Sequence, residues 1–241
     1  MSFILVTGGT GTLGRPTVAR LRAADHQVRV LSRKPGADRV VGDLTTGAGL
    51  AAAVEGADVI MHLATSQSRR DVRQTRNLLA AASPGQRLVL MSIAGIDRIP
   101  LAYYRYKLEA ERLVAESGLP YTILRATQFH NLVDRILSAQ RFLPAILAPA
   151  VTLQPIAVED VAARLAELVE QAPVHGRAPD IGGPERRSVT DLAHLWKQAR
   201  ATRRPIVPLR LPGKTFRAYA DGAATVDGPA YGRITFADYL G

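Results

Sequence analysis

Apolar residues come in short continuous runs through the first half of the chain, each closed by a polar or glycine-rich break and followed by a stretch with helical spacing. The runs predict strands over Phe3–Thr7, Gln27–Ser32, Arg39–Val41, Asp58–Leu63, Arg87–Ser92 and Tyr121–Arg125. The helical period predicts helices over Leu13–Ala24, Gly49–Glu55, Arg69–Ala82, Ala102–Ser117 and Val158–Glu170. Runs such as VIMHLA and LVLMS are apolar at successive positions, as strands covered on both faces must be. Alternating strand and helix with right-handed crossovers gives the expected class: α/β, a doubly wound parallel sheet with helices on both faces. Beyond about Arg125 the regularity gives way to prolines and short elements, with a helix over Val189–Ala201 and a last segment over Ile234–Leu240. The expected organisation is a core over about residues 1–131 and a smaller C-terminal lobe over about 132–241. The lobe is interleaved with the core, without a linker that would let it fold alone.

Composition narrows the chemistry. The 241 residues are 47% hydrophobic and 22% charged, ordinary for a globular protein. There is no cysteine, which excludes a disulfide framework, a thiolate metal site and a cysteine nucleophile. This fits a reducing compartment, and a cytoplasmic location is expected. The N-terminus shows no basic region ahead of a long apolar stretch, so no secretory signal is expected. The most apolar later segment, Ile136 to Val158, is interrupted by Pro144, Pro149 and Pro155 and carries Arg141, a poor membrane span. A formal charge of +10 raises the question of nucleic acid. The arginines are spread along the chain, however, and the local cluster Arg200, Arg203, Arg204 has no aromatic interleaving, so no nucleic-acid partner is expected. Attraction of a phosphorylated small molecule accounts for some of the charge more economically. The five histidines show no metal-ligand spacing, so no metal site is expected, and no G-x-S-x-G elbow marks a hydrolase.

The densest signal is TGGTGTLGR, Thr7 to Arg15, between the first strand and the first helix. Gly9-Thr10-Gly11-Thr12-Leu13-Gly14 fits G-x-G-x-x-G, and Gly8 precedes it. In this strand–loop–helix context the glycines serve a sharp turn, close approach of a pyrophosphate to the main chain, and close helix–strand packing. The helix N-terminus adds unpartnered N–H groups and positive dipole. An acid gripping the ribose of NAD belongs about 20 residues on, but the end of the second strand reads Ser32-Arg33-Lys34. A guanidinium and an ammonium there suit a 2′-phosphate, so the expected cofactor is NADP(H) rather than NAD(H).

Several further stretches carry a family resemblance: SRKP after the second strand, VVGDL (Val40–Leu44), HLAT (His62–Thr65), YYRYKLEAERLVAESGLPYTILRATQFHNL (Tyr103–Leu132), QPIAVEDVA and GGPERRSVTDLA. With the glycine loop they resemble the short-chain dehydrogenase/reductase superfamily, more closely its atypical NmrA-like branch, over nearly the whole chain. The resemblance implies a Rossmann-type fold, with Asp43 and Leu44 against adenine and with Ala64 and Thr65 along the cofactor's ribose and phosphate. It also implies roles for Tyr103 and Lys107, which are four apart and so share one helix face. The lysine would lower the tyrosine pKa and hold the nicotinamide ribose, the tyrosine would exchange a proton with the substrate oxygen, and Ser92 would orient that oxygen. Phe129, His130 and Asn131 follow the sixth strand at the edge where ligands bind in such sheets, and are candidates to line a substrate pocket. The expected function is an NADPH-dependent oxidoreductase acting on a carbonyl or quinone-like small molecule, neutral and apolar because no anionic clamp is evident. The alternative is a non-catalytic NADP(H)-sensing regulator of the NmrA type.

Overall fold

In the computed structural model, which describes residues 1–241, the chain forms two compact units. The first comprises Met1–Ser92, Ala102–Arg125 and Val161–Pro179, the second Ile93–Leu101, Ala126–Asp160 and Asp180–Gly241. The elements run β1 (Phe3–Thr7), α1 (Gly14–Ala23), β2 (Gln27–Ser32), β3 (Arg39–Val41), α2 (Leu50–Val54), β4 (Val59–His62), α3 (Arg70–Ala81), β5 (Arg87–Ile93), α4 (Ala102–Ala115) and β6 (Tyr121–Ala126). There follow α5 (His130–Ala139), β7 (Ile146–Pro149), β8 (Thr152–Leu153), α6 (Val158–Glu170), β9 (Gly176–Arg177), β10 (Arg187–Ser188), α7 (Val189–Ala199), β11 (Ile206–Leu209), α8 (Lys214–Ala220) and α9 (Phe236–Leu240).

The first unit is built on a parallel sheet in the order β3-β2-β1-β4-β5-β6-β9. Strand order reverses beside β1, which pairs with β2 on one side (Val6 opposite Val30) and with β4 on the other (Thr7 opposite His62). In such a sheet the crevice for a ligand opens at the C-terminal ends of those central strands. The apolar runs fill the layers as their pattern requires: Leu5, Ile60, Leu88 and Leu90 are fully buried with Leu50, Leu78 and Val114 from the helices. Each such side chain is worth roughly 1.5–3 kcal/mol of burial.

The segment 161–179, expected in the lobe, belongs to the first unit. Its strand β9 extends the sheet beside β6 (Thr122 opposite Gly176), and Arg87 donates to the carbonyls of Leu168, Val169 and Gln171 at the end of α6. Arginine capping explains part of the basic composition: Arg29 likewise donates to the carbonyls of Ala52, Ala53 and Glu55 at the C-terminal end of α2. A cation at a helix C-terminus satisfies orphan carbonyls and the negative dipole end.

The second unit pairs β7 with β11 in parallel and β8 with β10 antiparallel. Its core packs Leu137, Ile146, Leu192, Trp196 and Phe236. Arg204 donates to the carbonyls of Gln140 and Leu143 after α5, and Arg200 pairs with Asp134 at 3.3 Å, so two of the three clustered arginines have partners within the unit. No helix of the chain is long and apolar enough to cross a membrane.

Candidate functional site

The glycine loop lies between β1 and α1 in the first unit. Gly8 has φ +71°, and a Cβ there would stand 2.7 Å from the Ala64 nitrogen. A Cβ on Gly14 would stand 2.1 Å from the Gly8 carbonyl oxygen and 2.6 Å from Gly9 Cα. Side chains are thereby excluded where loop, β4 and helix meet. The loop is closed by Gly11 N–H donating to Gly8 O (2.9 Å) and braced by Arg15 Nε donating to Thr10 O (3.0 Å). No side chain caps Leu13 at the start of α1 and no acid lies in its first turn, so the helix end keeps its positive character. Thr10, Gly11 and Thr12 are exposed, while Leu13 and Gly14 are buried. A backbone cradle of this kind fits a pyrophosphate.

At the end of β2, Ser32 Oγ accepts from Lys34 N (3.1 Å), forming a tight turn that leaves Arg33 and Lys34 exposed. Asp43 and Leu44 follow β3. The Asp43 carboxylate accepts from Thr45 N (2.6 Å), and Asn77 donates to the carbonyls of Leu44 and Thr45 (2.8 and 3.1 Å), so this loop is held by its own side chain and by α3.

Beneath the glycine loop, His62 at the end of β4 is 1% exposed. Its Nδ1 is 2.7 Å from Thr7 Oγ1 and its Nε2 is 3.1 Å from Thr75 Oγ1, joining β1, β4 and α3. Burial, with the Lys107 charge adding to it, lowers the His62 pKa from 6.5 to about 3. The chain then leaves β4 through Ala64 and Thr65, and Ala64 N donates to Thr7 Oγ1 (3.3 Å).

Tyr103 and Lys107 lie on α4, one turn apart. The Tyr103 hydroxyl is 3.0 Å from Thr65 Oγ1. Burial raises the Tyr103 pKa, and Asp71 raises it further, while the Thr65 hydrogen bond works the other way. The direction is opposite to the lowering implied by the family resemblance: the phenol is held in its protonated form. Lys107 is 5% exposed, and burial lowers its pKa against the opposing charges of Asp71 and Glu111.

Ser92 is 2% exposed, and its hydroxyl donates to Glu111 Oε1. Glu111 also takes a two-pronged hydrogen bond from Arg125, Nε at 2.9 Å and Nη2 at 2.6 Å. The structure thus brings Tyr103 to Thr65 and places Ser92 in a buried ionic cluster. In the second unit, His130 is 1% exposed, donates Nε2–H to the Ile234 carbonyl (3.0 Å) and packs against Phe236 and Tyr239 at 5.6 and 5.5 Å. Phe129 and Asn131 are half-buried. Beside them Gln128 is 8% exposed with neither amide atom hydrogen-bonded.

Three chemistry-bearing groups escaped the sequence reading. Asp71, in the first turn of α3, is 3% exposed and accepts from Thr65 Oγ1 (2.6 Å), Ser66 N (2.6 Å) and Ser66 Oγ (2.5 Å). An acid in a first helical turn ordinarily answers the dipole, which hid it. The Glu111–Arg125 pair had a visible signal, an arginine ending the apolar run YTILRA. His62 had one too, ending the buried strand VIMH.

Comparison with known proteins places this geometry among nucleotide-binding chains. Residues 8–172 match the family described as NAD(P)H-binding. A Mycobacterium tuberculosis protein is 29% identical over 228 residues, 80% of this chain, and the chain spans only 25% of that protein's length. The (4-alkanoyl-5-oxo-2,5-dihydrofuran-3-yl)methyl phosphate reductase of Streptomyces griseus is 30% identical over 219 residues, covering 84% of this chain and 75% of its own. Quinone oxidoreductase 2 of Escherichia coli is 25% identical over 218 residues, 81% of this chain and 74% of its own. The solved NADPH complex of that oxidoreductase superposes with a TM-score of 0.82 at 19% identity, covering 98% of each chain, a likeness of fold.

Proposed function

The chain belongs to the NAD(P)H-binding family, and on that premise we propose that it is an NADPH-dependent oxidoreductase that reduces a carbonyl or quinone-like small molecule. The observation that carries the reading is the placement of Tyr103: a half-buried phenol held protonated, one helical turn from the buried Lys107. Relatives named as a reductase and a quinone oxidoreductase support the class of reaction.

The glycine cradle would hold the pyrophosphate on the backbone of Gly8–Gly14. Arg33 and Lys34, exposed after β2, would take the 2′-phosphate and set the preference for NADPH. Asp43 and Leu44 would bound the adenine, and Ala64 and Lys107 the ribose groups. NADPH, when bound, supplies hydride. Tyr103 supplies the proton: the phenol, its pKa raised by burial, is protonated at neutral pH and so can give a proton but not take one up. Lys107 stabilises the phenolate left behind, since a nearby cation favours the charged form. Within the second unit, Phe129, His130 and Asn131 are the candidates for substrate contact, and Gln128 beside them has neither amide atom hydrogen-bonded.

Calorimetric titration with NADPH and with NADH, followed by an NADPH-oxidation screen over ketones, quinones and enones, tests the reading. NADPH is expected to bind more tightly, and Arg33→Ala to lose most of that preference. Tyr103→Phe is expected to lower turnover roughly 10²- to 10⁴-fold with NADPH affinity intact, the range for a positioned acid. Unchanged turnover in that variant would remove the tyrosine from its role. Tight NADPH binding with no oxidation across the panel would assign the chain to dinucleotide sensing instead.

A further inference from the structure

We propose that Thr65 and Asp71 form a directional hydrogen-bond relay that governs the Tyr103 proton, so that Thr65, and not Ser92, is the hydroxyl partner of the acid. The inference rests on the oxidoreductase reading, and it begins from counting protons on one oxygen.

Thr65 Oγ1 has one hydrogen and two lone pairs. In the 2.6 Å contact to Asp71 Oδ2, Thr65 donates. The backbone N–H of Gln67 donates into Thr65 Oγ1 at 3.1 Å and fills one lone pair. What remains at 3.0 Å from the Tyr103 hydroxyl is the second lone pair, so Tyr103 donates. The hydrogen bonds therefore all run one way, from Tyr103 to Thr65 to Asp71, and every site on the threonine oxygen is taken.

The surroundings hold that arrangement in place. Gln67 has φ +52°, a left-handed conformation that costs a side-chain-bearing residue energy, and in it the N–H reaches back to Thr65. Asp71 Oδ1 is tied separately by Ser66 N and Ser66 Oγ, so the carboxylate is held in place independently of Oδ2. Asp71 is buried on α3, whereas Thr65 is exposed and Tyr103 half-buried on α4. The charged group bearing on the phenol is Asp71, across from it on α3. Ser92 cannot substitute, because its proton is committed to Glu111, which Arg125 holds in a buried pair.

The step this permits balances simply. As hydride reaches the substrate carbon, the Tyr103 O–H bond breaks and its proton joins the substrate oxygen, the electron pair remaining on the phenolate. The Thr65 hydroxyl rotates its hydrogen from Asp71 Oδ2 to the phenolate, giving the new anion a donor. A proton from water then restores the phenol, and Thr65 turns back to Asp71. In the resting state the same chain holds the Tyr103 proton against the Thr65 oxygen.

The test reads the tyrosine directly. With ¹³Cζ-labelled tyrosine, the Tyr103 resonance, assigned by its loss in Tyr103→Phe, is titrated in the wild type, Thr65→Val, Thr65→Ser and Asp71→Asn. Thr65→Val removes a donor to the phenolate and is expected to raise the titration midpoint by roughly half a unit to one unit. Asp71→Asn removes a repelling charge and is expected to lower it, and Thr65→Ser to leave it at the wild-type value. In turnover, Thr65→Val is expected to fall roughly three- to tenfold in kcat with NADPH affinity unchanged, and serine to restore it. A brace that merely stiffened the loop would move both midpoints in the same direction or neither, and that result overturns the relay. A loss confined to NADPH affinity in Thr65→Val would overturn it too, returning Thr65 to a cofactor contact. Should the wild type show no turnover at all, the oxidoreductase reading falls, while the opposed shifts of the tyrosine still decide the relay.

Discussion

Acidification should destabilise the first unit through His62, and the size of the effect follows from its burial. The imidazole is 1% exposed, wedged between Thr7 and Thr75, with Lys107 close enough to add to the cost of a second positive charge. Its pKa stands at about 3 in the folded chain against 6.5 ordinarily. The folded state therefore binds this proton more weakly than the unfolded state does. Stability from the neutral ring is complete above the unfolded value and is lost as pH falls from about 6.5 toward 3. The loss is about 1 kcal/mol at about pH 5.5, about 3 kcal/mol at about pH 4.5, and near 5 kcal/mol at its ceiling. Since folded domains hold only about 5–15 kcal/mol, this one group is a large share of the margin. The perturbation is His62→Gln, which keeps polar atoms near the two threonines but cannot take up a proton. Urea unfolding of wild type and variant at about pH 7, 5.5 and 4.5 gives the difference, in which the other titrating groups cancel. The variant should be the less stable at neutral pH, and the gap should close by about 3 kcal/mol at the lowest pH. A gap independent of pH would refute the reasoning. The ¹⁵N shifts of the His62 ring give the same answer without a variant: they should report a neutral imidazole down to at least about pH 4.5.

Two substitutions probe the framework of the site. Gly14→Ala places a methyl group 2.1 Å from the Gly8 carbonyl, so backbone must move; we expect a loss of roughly 1–3 kcal/mol in denaturant unfolding together with NADPH binding. Gly85→Ala is the control for steric room: Gly85 has φ +89° and meets nothing within 4 Å, so the change should cost only about 1 kcal/mol with binding intact. Glu111→Gln leaves Arg125, whose side chain is 5% exposed, buried without its counter-charge; the expected cost is about 3–5 kcal/mol, recovered in large part by replacing both with apolar residues. If the single variant unfolds at the wild-type urea midpoint, the pair contributes nothing to the fold.

The residues legible from sequence were those whose signal is local. The strands Phe3–Thr7, Gln27–Ser32 and Arg39–Val41 and the helix Val158–Glu170 have the bounds their pattern predicts; in Phe3–Thr7 the cause is an apolar run buried from Ile4 onward, as a strand covered on both faces requires. The glycine loop was legible because closely packed backbone tolerates nothing larger at Gly8 and Gly14. Tyr103 and Lys107 were legible as a pair because four residues is one helical turn.

Tertiary structure decided the rest. Strands of two to four residues such as β8, β9 and β10 carry too little periodicity to be seen, so the second unit and the true place of residues 161–179 emerged only from pairing. The hydroxyl facing Tyr103 is another such case. Ser92 and Thr65 are equally plausible by type, and the choice between them is made by contacts 19 and 38 residues apart in sequence, Ser92 with Glu111 and Thr65 with Tyr103. The protonation states of His62, Tyr103 and Lys107 belong to the same class. A side chain's identity fixes its ordinary pKa, but the sign and size of the departure depend on how much water and which charges the fold leaves around it.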